Sequence, residues 1–321
     1  MFFDDAVYGR VEVDEPLLLE LEASEPVQRL KKIGQKGWLK EFDPGWFTRY
    51  NHSIGTMLLL KRLGAGLEEQ AAGLVHDVAH LAFSHVADWV FGTNEEESLQ
   101  DKLHEKFVLQ SEIPKILEKH GFDSKRFMNL ENFRLLERPL PELCADRLDY
   151  GLRHMVHEGK AASARKCAAA LKAIDGTIVF TDKHSALSFA EDFLWLQTTV
   201  WASNETVARY KLLSTAIKTA LEEGTLAKED MFLDDESVLA KLRTSQNPRV
   251  LEPLAHLGKI RVVEDRDRPH VTMKKKFRYV DPAFLEGGKV CRLSENDSRF
   301  KKKLGELRKQ NELGASIRFV D

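Results

Sequence analysis

The segment His76-Asp77-Val78-Ala79-His80 brings two imidazoles and one carboxylate into five consecutive positions. On a helix, His76, Asp77 and His80 lie at about 0°, 100° and 40° around the axis, so all three side chains can converge on one point. Mixed nitrogen and carboxylate ligands favour Mn²⁺, Fe²⁺, Ni²⁺, Co²⁺ or Zn²⁺ over Ca²⁺, and Mg²⁺ is tolerated. The spacing therefore predicts a divalent metal site and, as the first interpretation, a metal-dependent hydrolase.

Histidines are concentrated around this segment. Five of the chain's 11 histidines lie between positions 52 and 104, namely His52, His76, His80, His85 and His104. The surrounding sequence is apolar and helical in pattern, and a buried imidazole without a partner is unfavourable there. For His76 alone, a hydrogen-bonded core histidine is the alternative, but the concentration favours a functional cluster.

The first 225 residues have mainly helical periodicity, after a short strand pair over residues 7–13. Helices are predicted over residues 15–22, 25–33, 52–63, 67–80, 99–109, 112–120, 141–158, 161–174 and 184–223. Gly121, Gly159 and Gly224 stand where a left-handed residue commonly ends a helix.

From Lys259 onward, apolar and polar residues alternate as they do in half-buried strands. The predicted strands are residues 260–263, 270–273, 277–280 and 317–320. The charge run Lys274-Lys275-Lys276 is interpreted as a solvated strand or turn. The expected fold is mainly α, with a helical domain over residues 1–258 and a small α+β region over residues 259–321.

Composition limits the classes of partner. Lysine plus arginine (48) nearly balance aspartate plus glutamate (51), so the chain presents no strong field toward nucleic acid or a membrane. Cys144, Cys167 and Cys291 have neither zinc-type spacing nor an even number for disulfides, which indicates reduced thiols. The N-terminus is acidic, and no run of about 18 apolar residues occurs. We expect a cytoplasmic protein without a membrane or nucleic-acid partner.

Three motifs in order resemble the HD-domain phosphohydrolase superfamily. They are residues 47–56, 76–88 and 145–150. The chain is most similar to the branch of deoxynucleoside triphosphate (dNTP) triphosphohydrolases that includes the SAM-and-HD-domain enzymes, and the resemblance covers roughly residues 5–255. It implies an HD-domain helical bundle that hydrolyses phosphoester bonds.

The resemblance also implies a ligand set for one divalent metal ion: His52, His76, Asp77 and Asp146. Four ligands leave positions open for water and a phosphate oxygen, so the metal can lower the pKa of bound water and act as a Lewis acid. A second metal ion is the alternative, with further ligands from His80, His85 and His104.

Catalytic roles are implied for His80, Asp88 and His104. A leaving alkoxide needs a proton near neutral pH, and an imidazole held by a carboxylate is well suited to give it. In this prediction Asp88 and His104 support His80.

Five further residues are implied to contact substrate: Arg49, His85, Arg147, Tyr150 and Gln35. A guanidinium offers a planar, permanently charged fork for phosphate oxygens. Helical spacing places Asp146, Asp149, Tyr150 and Arg153 on one face, which would point toward a common cavity. For Tyr150, core packing is an equal alternative.

The chain also departs from that branch. Related dNTPases carry arginines on a later long helix, where they hold the outer phosphates, but residues 193–201 here are apolar and neutral. His154 replaces an aspartate that binds the sugar 3′-hydroxyl, and Trp201 falls near a tyrosine that excludes the ribose 2′-hydroxyl. The sugar and base preferences of the relatives therefore do not transfer to this chain.

The leading hypothesis is a metal-dependent dNTP triphosphohydrolase. The enzyme alternative is a phosphatase or phosphodiesterase for nucleoside monophosphates or other small phosphoesters, which the missing arginines favour. The non-enzyme alternative is a nucleotide sensor, although the retained His80 and Asp88 weigh against it. Homo-oligomers are common in the family, and a homo-oligomer is kept as an expectation.

Overall fold

Helices make up most of this chain, whose computed structural model describes residues 1–43, 45–274 and 276–320. The first eight are α1 (Pro16–Ala23), α2 (Glu25–Arg29), α3 (Arg49–Arg62), α4 (Leu67–Val75), α5 (His85–Phe91), α6 (Leu99–Gln110), α7 (Ile113–Lys119) and α8 (Ala145–His157). They are followed by α9 (Ala161–Ala169), α10 (Lys183–Leu196), α11 (Asn204–Glu222), α12 (Asp235–Leu242), α13 (Pro248–His256), α14 (Leu293–Asn296) and α15 (Ser298–Glu312). The mainly α fold is confirmed.

Nine strands form three small sheets in the described part of the chain. They are β1 (Phe2–Asp5), β2 (Gly9–Glu12), β3 (Leu171–Ile174), β4 (Thr177–Phe180), β5 (Val262–Glu264), β6 (Val271–Met273), β7 (Ala283–Glu286), β8 (Lys289–Arg292) and β9 (Ala315–Phe319). The sheet orders are β1-β2, β3-β4-β7-β8 and β5-β9-β6. All pairings are antiparallel except the contact between β4 and β7.

Helix α3 is central because it packs against both α4 and α8. It begins at a capping box, in which the Thr48 hydroxyl accepts the Asn51 N–H and the Asn51 side chain accepts the Thr48 N–H. Its apolar residues join the main core, with Leu59 and Leu60 fully buried. The cap and the core together fix the direction in which α3 presents its polar face.

The helix predicted over residues 67–80 ends earlier, at Val75. The backbone then turns, and the guanidinium of Arg29 donates to the carbonyl oxygens of Val78 and His80 at 2.8 and 2.6 Å. These bonds replace partners that a longer helix would supply. The prediction that Asp77 and His80 share one helical face is therefore wrong, because both residues lie in the turn after α4.

The predicted helix 161–174 was wrong at its end, because α9 stops at Ala169 and a β-hairpin follows. Asp175 (φ 48°) and Gly176 (φ 71°) connect β3 to β4. Two left-handed residues in an Asp-Gly pair form the turn that suits a tight hairpin. The dipeptide was a readable signal for this hairpin.

The helix predicted over residues 184–223 is interrupted. Helix α10 passes into a π-helical turn at Gln197–Trp201, and α11 starts after Ser203, whose hydroxyl accepts the Thr206 N–H. The hydroxyls of Thr198 and Thr199 donate to helix carbonyls, a competition that often bends helices. The first strand pair, predicted over residues 7–13, lies at β1 and β2 instead.

The C-terminal α+β region joins the helical part at two places. Strand β7 pairs with β4 through Phe284 and Phe180, while β5 and β9 lie against α11. Residues 277–280, predicted as a strand, belong to no sheet. The domain boundary between residues 258 and 259 stays a prediction. Within the described residues, no helix has the length and apolar character needed to cross a membrane.

Phe284 should anchor the C-terminal region to the main core. The ring is fully buried, so we expect Phe284→Ala to lower the free energy of unfolding by about 3–5 kcal/mol, measured by urea denaturation. Val290→Ala on β8 is the matched control, because Val290 is 53% exposed and its loss should change stability by less than about 0.5 kcal/mol. Equal stability of the two variants would contradict the anchoring role.

Candidate metal centre and substrate cavity

The four predicted metal ligands lie together. His52 is on α3, Asp146 is in the first turn of α8, and His76 and Asp77 follow α4. Nε2 of His52 lies 2.9 Å from Oδ1 of Asp146 and 3.2 Å from Nε2 of His76. The Asp77 carboxylate lies 3.7 Å from Nε2 of His52 and 3.5 Å from Nε2 of His76. Nε2 of His52, Nε2 of His76 and Oδ1 of Asp146 thus converge, and the Asp77 carboxylate lies beside this group.

A chain of buried side chains orients His52. Its Nδ1 lies 2.8 Å from Oδ2 of Asp149, and Arg153 holds that carboxylate with two bonds of 3.0 and 2.8 Å. Arg153 also reaches Asp5 on β1 at 2.9 Å. A carboxylate on one ring nitrogen directs the other nitrogen toward a metal. Asp149 and Arg153 therefore support the centre without being ligands in it.

His76 is oriented by the backbone. Its Nδ1 lies 2.8 Å from the carbonyl oxygen of Gly73, so the Nδ1–H donates there and Nε2 turns toward His52 and Asp146. The amide of Gln100 donates to the carbonyl oxygen of His76. Both imidazoles thus present Nε2 to the same point.

The charges around this point favour a cation. Burial alone lowers the pKa of His52, but the carboxylates of Asp146, Asp149 and Asp77 outweigh burial and raise that pKa to about 9. The raised value reports a negative potential at Nε2, where a divalent ion would compete with a proton. Donor chemistry, orientation and potential all fit a divalent metal ion.

His80 contacts the ligand set directly. Its Nε2 lies 3.3 Å from Oδ1 of Asp77, and Oδ2 of the same carboxylate accepts a 2.9 Å bond from Arg49. Burial lowers the pKa of His80 to about 4, and the Arg49 charge acts in the same direction. The ring is therefore neutral in this state of the protein at neutral pH.

Asp88 is placed against His85, not against His80. Oδ2 of Asp88 lies 3.4 Å from Nδ1 of His85, while Oδ1 accepts from the Thr93 hydroxyl and the Leu99 N–H. The backbone just before α5 explains this placement. Phe83 (φ 61°) and Ser84 (φ 45°) turn the chain there and direct His85, the first residue of α5, toward the cavity.

His104 lines the cavity but is tied to the backbone. Its Nε2–H donates to the carbonyl oxygen of Phe127 at 3.0 Å, and its Nδ1 has no hydrogen-bond partner among the described residues. That bond leaves Nδ1 as an acceptor. Nδ1 of His104 therefore has an acceptor position that no described residue fills.

Three of the four predicted ligands, His76, Asp77 and Asp146, line a cavity of about 820 Å³. All five predicted substrate contacts line it: Arg49, His85, Arg147, Tyr150 and Gln35. Two of the guanidinium groups are fixed in different ways. Arg49 is held by Asp77 and Ser84, whereas Arg147 donates to the carbonyl oxygens of Glu142 and Arg138.

Sequence reasoning missed several residues of the cavity wall. Among them are Trp38, Glu97, Tyr210, Lys276 and Arg278. Lys276 closes the charge run interpreted as solvated, of which Lys275 lies outside the described residues. Positions 276 and 278 fall on the same side of an extended segment, and that spacing was an available signal.

Aromatic rings form another part of the wall. The Trp201 ring packs edge-on against Tyr150 at 5.4 Å and against His154 at 5.4 Å. Burial, with the nearby Lys36 charge, keeps the pKa of His154 well below its usual value. A neutral imidazole thus forms part of this wall.

Comparison with known proteins gives three findings. A family model described as the HD domain matches residues 49–150. The chain is 39% identical to the uncharacterized protein YdhJ of Bacillus subtilis, across 95% of both chains. It is 33% identical to the metal-dependent phosphohydrolase cns2 of Cordyceps militaris, across 87% of this chain and 83% of that protein.

A solved structure has the same fold. It is a phosphohydrolase, BT4208, from Bacteroides thetaiotaomicron, with a TM-score of 0.70 and 17% identity. The alignment covers 99% of this chain and 98% of that one. The likeness extends through the C-terminal region.

Removal of a ligand should empty the metal centre. We expect His52→Ala and Asp77→Ala to lower metal affinity by more than the roughly 10- to 100-fold that loss of an outer partner costs. Elemental analysis after dialysis measures bound metal, and circular dichroism checks that the helices remain.

Asp101→Asn is the control for these variants, because Asp101 lines the same cavity outside the ligand set. Its metal content should equal that of the unmodified protein. Full metal content in His52→Ala and Asp77→Ala would refute the ligand assignment.

Proposed function

Because the chain belongs to the HD-domain family of metal-dependent phosphohydrolases, we propose that it hydrolyses nucleotides, with a dNTP as the expected substrate. The observation that carries this proposal is the cavity of about 820 Å³, which combines the metal ligands, several cations and an aromatic wall. Phosphates need the first two features, and a nucleoside suits the third.

His52, His76, Asp77 and Asp146 would hold the metal ion. When bound, the ion supplies Lewis acidity toward water and a phosphate oxygen. Two carboxylates and two neutral imidazoles offset its charge, and the expected ions are Mn²⁺, Fe²⁺, Ni²⁺, Co²⁺, Zn²⁺ or Mg²⁺. The carboxylate of Asp149 keeps the His52 ring in position for this role.

Arg49 and Arg147 are proposed to bind the phosphate that is attacked. Arg49 is fixed by Asp77, the Gln35 carbonyl and Ser84 before any substrate arrives, so little reorganisation is needed. Arg147 is fixed mainly by neutral carbonyl oxygens, which leave its charge available. The Glu137 carboxylate lies 3.6 Å from Nη2 of Arg147.

His80 is proposed to protonate the leaving oxygen. Water attacks the α-phosphorus and releases one proton to solvent, and the bond from phosphorus to the sugar O5′ breaks. The protonated His80 ring gives its Nε2 proton to O5′ and regains a proton from solvent. The products are a deoxynucleoside and inorganic triphosphate. A bound phosphate chain adds negative charge beside His80, which favours the protonated ring that this step requires.

His85 and Asp88 receive a positioning role in this scheme. Nε2 of His85 lies 3.2 Å from the Arg49 guanidinium, and Asp88 holds the opposite nitrogen. Asp88 would thus hold His85 beside Arg49, so that both side chains can contact the same phosphate. His104, with Nδ1 as an acceptor, would take a hydrogen bond from substrate or water.

Tyr150, Trp201 and Gln35 are proposed to contact the sugar and base. The oxygen of the Gln35 side chain and Nδ1 of His154 are buried without a hydrogen-bond partner among the described residues. Buried polar atoms of this kind favour a ligand that carries hydroxyl or amino groups.

A nucleoside monophosphate or another small phosphoester is the second candidate. It is favoured by Val200 and Trp201, which face the cavity from the segment where the related dNTPases carry phosphate-binding arginines.

A substrate screen tests the proposal. Mono-, di- and triphosphorylated nucleosides would be incubated with the protein and each candidate ion, and products separated by chromatography. We expect release of deoxynucleoside and inorganic triphosphate from dNTPs. Activity on monophosphates alone would favour the second candidate, and binding without any product in every metal would defeat the nucleotide proposal.

The role of His80 predicts a separation of metal binding from turnover. His80→Ala should keep its metal but lose roughly 10²- to 10⁴-fold in kcat, since general acid assistance is removed. His120→Ala is the control, because His120 does not line the cavity and its ring contacts Glu20 instead. A metal-loaded His80→Ala protein with the original kcat would remove His80 from the mechanism.

A further inference from the structure

A segment after the predicted domain boundary crosses to the wall of the substrate cavity. We name residues 276–280 the strap. The amide of Gln197 donates to the Lys276 carbonyl at 2.8 Å, and Nζ of Lys276 donates to the Glu96 carbonyl at 2.7 Å. The strap is anchored at its other end by Val280, which is fully buried. These contacts hold the strap at the wall of the cavity that His76, Asp77 and Asp146 also line.

The middle of the strap is held by rings. Phe277 and Tyr279 stack with centroids 5.5 Å apart, and the Arg308 guanidinium lies 4.6 Å from the Tyr279 ring. Because those alternate side chains are fixed in this way, Lys276 and Arg278 are presented together on the cavity wall. Packing of the neighbouring rings therefore fixes the positions of Lys276 and Arg278.

The two cations share one carboxylate. Arg278 pairs with Oε2 of Glu97, and Nζ of Lys276 lies 3.6 Å from the same oxygen. Glu97 has φ 54°, an uncommon value for a residue with a side chain, and its N–H is bound to the Thr93 carbonyl. Such strain persists where surrounding structure holds it in place.

Two further acids, Asp88 and Asp101, lie near the strap. Both carboxylate oxygens of Asp88 already accept hydrogen bonds or face His85. Asp101 also lines the cavity, and burial raises the pKa of its carboxyl group. Lys276 and Arg278 thus contact one carboxylate directly, and a bound phosphate chain would give both cations further anionic partners.

We propose that Lys276 and Arg278 bind the outer phosphates of a polyphosphorylated substrate. The strap thereby supplies the cations that the segment 193–201 lacks. This inference rests on the proposed hydrolysis of nucleotides and deepens it, because it makes the C-terminal region the part of the chain that selects for phosphate number.

Lys276→Ala is the direct test, with Lys274→Ala as its matched control. Lys274 is exposed and lies 3.7 Å from Glu95. We would measure kcat/KM for a dNTP and for the monophosphate of the same nucleoside. Lys276→Ala should lower kcat/KM for the triphosphate about tenfold and change the monophosphate value less than about twofold. Lys274→Ala should match the unmodified protein on both substrates.

Arg278 requires a paired change, because its removal alone would leave the largely buried Glu97 carboxylate with only Lys276, 3.6 Å away, as a cationic partner. The double variant Glu97→Gln with Arg278→Gln removes both charges at once. It should also weaken triphosphate use more than monophosphate use, with thermal unfolding monitored to confirm the fold. Arg278→Lys keeps a charge and should recover part of the triphosphate preference.

Calorimetric binding of inorganic triphosphate and inorganic phosphate separates this inference from the proposed function. Binding of triphosphate about tenfold weaker in Lys276→Ala supports the strap even if no nucleotide is hydrolysed. Unchanged triphosphate binding and hydrolysis in that variant overturn the strap while the proposed function stands. Equal losses for mono- and triphosphate also overturn it, since they indicate a purely structural contact.

Discussion

The centre depends on the burial of His52 between two carboxylates. Asp149 fixes one ring nitrogen, and Asp146 meets the other together with His76 and Asp77. His52 is on α3, and both aspartates are on α8. The packing of α3 against α8 therefore also sets the distances between His52 and its two carboxylates. A shift of either helix would separate the ligands and expose a buried charge to an apolar core.

Positive charge around that centre has two structural origins. Arg49 and Arg147 are adjacent to the ligands and come from the helical part, where hydrogen bonds fix them in advance. Lys276 and Arg278 come from a distant stretch of the chain and are held by rings and one carboxylate. The first pair suits the reacting phosphate of any ester, and the second suits a longer phosphate chain.

The mainly α fold, and the proximity of His52, His76, Asp77 and Asp146, could be predicted because their signals are local: a short His-Asp spacing, helical periodicity and motif order. The role of these residues as ligands stays a prediction. The hairpin at Asp175 and Gly176 carried a local signal that helical periodicity obscured. The pairing of Asp88 with His85 could not be predicted, since it depends on backbone turns before α5. The strap is a long-range contact, and its basic residues look solvated without the cavity around them.

The bond from Arg153 to Asp5 makes the first strand a remote part of the centre. Anything that detaches β1, such as an amino-terminal fusion or proteolytic trimming before Asp5, would loosen Arg153, then Asp149, then the His52 ring. The expected effect is weaker metal binding, with most of the helical core still folded. Preparations that differ only at this end could thus differ in activity for a reason unrelated to purity.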